Sequence, residues 1–136
     1  MINRLLGAAT AAALAIDAAV HAVDAPLSGG GVINEAGIFH VESGVAALTA
    51  VLVLVRPRRG VWMLALGVAA SALAAVLVYR YVNVGAVGPI PNLYDPTWQE
   101  PGKVLSAFAE GTAVLLSLVG LAVTRSAPAL RVWSPP

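Results

Sequence analysis

The sequence predicts an all-α polytopic membrane protein, a single domain built as an antiparallel bundle of four transmembrane helices with both termini in the cytoplasm. Three observations predict it. Of the 136 residues, 59% are hydrophobic and only 11% charged, with a mean hydropathy of +0.84. A soluble domain carries roughly 25% charged residues. Four apolar segments stand out, at 5–23, 37–55, 61–82 and 104–123. Each is close to the ~20 residues that cross a ~30 Å hydrocarbon core as a helix. The basic residues are divided unevenly between the segment ends: Arg4, Arg56, Arg58, Arg59, Arg125 and Arg131 share one face, and only Arg80 and Lys103 lie toward the other. The positive-inside rule then places both ends of the chain in the cytoplasm.

The first segment follows a short basic start, and Val-Asp-Ala ends at residue 25, a pattern that also fits a secretory signal peptide. Pro26 would follow the cut and obstruct the peptidase, so the segment is read as a retained helix. The second and third segments are joined by Arg56-Pro-Arg-Arg-Gly, too short for anything but an antiparallel helix pair. Helices are the expected form because lipid cannot satisfy backbone polar groups. The outer loop 24–36 contains Pro26 and Gly29-Gly-Gly and is expected to be flexible. The other outer loop, 83–103, contains four prolines and is expected to be stiff. Its Tyr94, Asp95 and Trp98 form an interfacial group, and the two aromatics suit an anchor at the lipid headgroups. The tail 125–136 is short and proline-rich.

All seven acidic residues fall on the predicted outer side. Asp17, Glu42 and Glu110 interrupt apolar segments, each roughly 4–6 Å outward of its segment midpoint at the rise of a helix. Carboxylates in hydrocarbon cost several kcal/mol, about 3 on insertion scales, and so face bundle interiors. Asp17, His21 and Asp24 fall at i, i+4 and i+7 on one helix face. His40 and Glu42 are two residues apart and point to nearly opposite faces, so only one of them can aim at a given neighbour. In the third segment Gly67, Ser71, Ala74 and Ala75 make a small-residue stripe suited to close helix contact. In the fourth, Lys103, Ser106, Glu110, Ser117, Gly120 and Thr124 lie along one side. The expected object is an outward-open polar pocket lined by Asp17, His21, His40, Glu42, Arg80, Ser106 and Glu110.

Three readings of this pocket are open. In the first, a structural or accessory bundle, Arg80 neutralises one carboxylate and His21 bonds Asp17 in an ion-pair network. In the second, a divalent metal or other cation is bound by Asp17, His21 and Glu110, with His40 or Glu42 completing the set. Imidazole plus carboxylate suits Zn²⁺, Mn²⁺, Fe²⁺ or Cu²⁺, and bundles build such sites from inward side chains. In the third, the pocket is a proton relay or acid/base pair acting on a lipid or quinone. A haem bracketed by His21 and His40 is a lesser variant. The chain has no cysteine, which excludes disulfides and thiolate chemistry. It carries no nucleophile elbow, H-E-x-x-H or Walker loop. The Arg56–Arg59 cluster reads as a topology determinant that also attracts anionic lipid, so nucleic acid is excluded. The bilayer, a larger membrane complex or a second copy are the expected partners.

The run Gly88-Pro-Ile-Pro-Asn-Leu-Tyr-Asp-Pro-Thr-Trp, followed by Glu100, Lys103, Ser106, Ala109 and Glu110, resembles small four-helix integral membrane proteins of actinobacteria with no assigned function. His21 and Gly37-Ile-Phe-His resemble the same group. The resemblance spans most of the chain and carries no catalytic residue with it. It implies a multi-pass protein of the bacterial inner (plasma) membrane, made without a signal peptide.

Overall fold

The computed structural model describes residues 1–25, 34–88 and 90–125. Among them the fold is all-α, with four helices: α1 (Ile2–Asp24), α2 (Glu35–Val55), α3 (Arg59–Tyr81) and α4 (Pro101–Arg125). All four are long and apolar enough to cross a membrane, which is compatible with a multi-pass membrane protein. Gly29, Gly30 and Gly31, with most of the first loop, and the tail from Ser126 lie outside the described residues.

All four helices begin two or three residues before the apolar segments do, because polar residues build their first turns. The Asn34 side chain accepts a hydrogen bond from the Gly37 N–H at 2.7 Å and starts α2. Such a cap satisfies one of the amides a helix start leaves unpaired. Pro101 occupies the first position of α4, where a missing N–H costs nothing.

The helices pack in ring order: α1 against α2 and α4, and α3 against α4 and α2. Alanine makes the close approaches. Ala11, Ala18, Ala46, Ala50, Ala65, Ala69 and Ala113 are all buried around Leu14, Val53 and Trp62. A Cβ at Gly7 would lie 2.9 Å from the Val53 carbonyl oxygen, so α1 and α2 nearly touch there. Trp62 is fully buried, and a Cβ at Gly120 would run into its indole. The indole N–H donates to Asn3 Oδ1 at 3.2 Å, and Asn3 Nδ2 donates to the Pro57 carbonyl at 2.6 Å. The start of α1, the α2–α3 turn and the start of α3 are thus tied together. Outward-facing side chains are large and apolar, among them Leu48, Val51, Leu64, Phe108 and Leu115.

The expected stripe of α3 is corrected. Gly67, Ser71, Ala74 and Ala75 are exposed, and the buried face is Val61, Trp62, Ala65, Val68, Ala69 and Ala72. The indole of Trp62 has the larger area to bury, and placing it on Gly120 sets the rotation of the helix.

The loop before α4 turns back at Val87–Ile90, where two backbone hydrogen bonds of 3.0 Å close around Gly88 at φ +57. It is then fastened at Asp95. The Asp95 N–H donates to the Tyr79 carbonyl at 3.1 Å, and Lys103 Nζ donates to both the Asp95 carbonyl and Oδ2 at 2.7 Å.

Candidate cation site

Asp17 and His21 stand one turn apart on α1, and Ser106 and Glu110 stand one turn apart on α4. α1 packs on α4, with Ala13, Ala18, Ala109 and Ala113 all buried, and the two pairs come together. Asp17 and Glu110 are both 0% exposed. Ser106 Oγ lies between them, 2.7 Å from Asp17 Oδ1 and 2.7 Å from Glu110 Oε1. His21 Nδ1 is 3.1 Å from Asp17 Oδ1 and 3.1 Å from the Asp17 carbonyl. The edge-on contact of the His21 and Phe39 rings, with centroids 5.4 Å apart, steadies the imidazole. One ligand atom each from Asp17, His21 and Glu110 all lie within 4.8 Å of one another.

The hydrogen-bond inventory of this group is short by at least one positive charge or proton. A hydroxyl has one hydrogen to donate, so Ser106 serves one carboxylate at a time. Asp17 Oδ2 and Glu110 Oε2 are buried without a partner. Unmatched buried carboxylate oxygens are costly, and a cation between them removes that cost.

Arg80, expected to neutralise one of these carboxylates, does not reach them. Its guanidinium lies over the rings of Tyr81 and Trp98, 5.0 and 5.6 Å from their centroids. Among the described residues it makes no ion pair. The arginine stands in the last turn of α3, where its guanidinium is held against the two rings and its Nε is buried without a hydrogen-bond partner. His40 is corrected too. It is exposed, and its Nδ1 pairs with the Ala36 carbonyl at 2.6 Å. With Glu42 turned inward, the helical spacing sends His40 outward. His21 lines the cavity described below, and His40 does not.

Above the buried group a cavity of about 400 Å³ opens between all four helices and the second loop. His21 and Ser106 form part of its lining, and Glu42 lines its wall. Glu42 Oε1 is buried and has no partner. The loop contributes Leu93, Asp95 and Glu100, so it walls the cavity as well as capping the bundle. Tyr94 is exposed, and Trp98 is half-buried between the charges of Arg80 and Lys103. The Lys103 ammonium hydrogen-bonded to Asp95 holds that carboxyl below the usual aspartate range, and the Thr97 N–H and hydroxyl add to it.

Sequence reasoning left the rest of the cavity wall undescribed. Glu35, Ile38 and Phe39 line it beside Glu42, and these four fall at i, i+3, i+4 and i+7. The same periodicity joins Ala72, Ala75, Val76 and Tyr79 on α3. Both faces were there to be found once Glu42 was taken as the inward residue.

No protein-family model matches the chain, no curated protein matches it, and no solved structure matches it.

Proposed function

We propose that this chain is a four-helix inner-membrane protein that binds a divalent transition-metal ion through Asp17, His21 and Glu110. The helices run antiparallel, the termini are cytoplasmic, and the site lies toward the outer leaflet. The asymmetry of the arginines supports that orientation, and the Asn3–Pro57–Trp62 contacts support the up-and-down order. One observation carries the cation reading: three ligand atoms lie within 4.8 Å, and two of the residues hold buried, unpartnered carboxylate oxygens. One imidazole and two carboxylates are a hard-to-borderline donor set that suits Zn²⁺, Mn²⁺ or Fe²⁺. The ion's charge would offset both carboxylates.

The test is metal analysis of protein purified in mild detergent without chelator, beside Asp17→Asn and Glu110→Gln. Losing a residue that only supports a ligand weakens a site by about 10–100-fold, so losing a ligand should weaken it at least that much. Because the ligands must be deprotonated, affinity should also fall as the pH is lowered. A proton relay through Ser106 is the second reading, favoured by the hydroxyl's position 2.7 Å from each carboxyl. The relay needs Ser106, whereas the cation site needs only its three ligands.

A further inference from the structure

The cavity above the buried group differs from it in chemistry. Its volume of about 400 Å³ falls in the range of small-molecule pockets, roughly 300–1,000 Å³. Its walls are largely apolar, with Val20, Ile38, Phe39, Val76 and Leu93 from three helices and the loop. A hydrated metal ion gains nothing from such walls, whereas an alkyl or aryl group does. Its charged groups are mostly of one sign: Asp24, Glu35, Glu42, Asp95 and Glu100 all line it. Two basic residues face them, and both are committed. Lys103 is paired with Asp95 and His21 with Asp17. Four carboxylates remain without a cation. Three of them, Asp24, Glu35 and Glu100, are exposed around the cavity. The fourth, Glu42, stands deeper with Oε1 buried and unpartnered.

We infer that the cavity is a binding site for a small organic cation, an ammonium carrying an apolar alkyl or aryl group. Glu42 receives the positive charge. Ile38, Val76 and Leu93 cover the apolar part, and the Phe39 and Tyr79 rings offer π faces to a quaternary nitrogen. The outer carboxylates raise the local concentration of cations at the mouth. This goes beyond the metal reading and uses different carboxylates, so either can fail alone.

The probe is benzyltrimethylammonium, measured by equilibrium dialysis against the full chain in nonionic detergent, with empty micelles subtracted. Neopentylbenzene, its uncharged isostere, is the competitor. The expected result is saturable binding of one cation per chain, with no displacement by the isostere. Glu42→Gln should weaken it by about tenfold, the usual worth of a buried charged contact. Ala75→Phe keeps every carboxylate and fills the cavity, and it should abolish binding. It also keeps the proposal falsifiable if Glu42→Gln does not fold. Non-saturable uptake, displacement by the isostere, or unchanged affinity in folded Glu42→Gln or Ala75→Phe would overturn the proposal. Metal content measured on the same samples separates the two readings. Saturable ammonium binding by protein without metal would sink the metal site and leave this one standing. Metal retained without ammonium binding would do the reverse.

Discussion

Ser106 is the residue on which the buried group turns. One hydroxyl hydrogen stands between two carboxyls, each at 2.7 Å, so the cluster is held together by a contact that cannot satisfy both partners at once. Ser106→Ala should retain the metal and lower stability by about 1–3 kcal/mol, the cost of leaving buried polar atoms unpaired. Thermal unfolding in detergent together with metal analysis reads both quantities, and loss of metal in a folded variant would mean that the cation site needs Ser106 as well as its three ligands. Asp17, His21, Ser106 and Glu110 were legible in the sequence because helical spacing alone puts each pair on one face. Arg80 and His40 were not. An arginine at a helix end can reach down to a carboxylate or lie flat on a neighbouring aromatic ring, and only the placement of Trp98 decides between them. The ambiguity between His40 and Glu42 is a question of helix rotation, which the apolar sequence of α2 leaves open because nearly every face is hydrophobic.

Helix packing follows the same division. The four spans were legible from hydropathy, since a run of ~20 apolar residues has few alternatives. The contact face of α3 was not, because small residues occur all round it and a single Trp62–Gly120 contact sets the rotation. Gly120→Ala should therefore destabilise the bundle by about 1–3 kcal/mol through overpacking. The same change at Gly67, where a Cβ meets nothing within 4 Å, should be close to neutral. Thermal unfolding of the two variants side by side checks this. The Asp95–Lys103 clasp predicts a pH dependence in the second loop. Asp95 titrates lower when folded than when free, so its contribution is present above the free-aspartate value of about 3.9. It is lost as the pH falls through the folded value. Asp95 is partly exposed, so the effect is local and weakened by solvent. A pH titration of tryptophan fluorescence should show a transition below pH ~4 that Asp95→Asn removes. A flat titration in the parent protein would mean the clasp does not hold Trp98.

The bundle as a membrane object has two ends with different jobs. One end is locked by Trp62, Asn3 and Pro57 and carries Arg4, Arg56, Arg58, Arg59 and Arg125; the other opens into the acidic cavity. The proposed orientation rests on that asymmetry and is directly measurable, because the chain has no cysteine to interfere. Asn92→Cys should react with a membrane-impermeant maleimide in intact cells, and Arg58→Cys only after permeabilisation. The reverse pattern would put the cavity on the cytoplasmic side. The most direct single measurement is the metal content of the protein purified without chelator, compared with the Asp17→Asn/Glu110→Gln variant. A bound ion near one per chain, lost in a variant that remains folded, is the predicted result. A parent protein that neither carries nor takes up Zn²⁺, Mn²⁺ or Fe²⁺ at neutral pH, or a folded variant that binds as well as the parent, would contradict the proposed site.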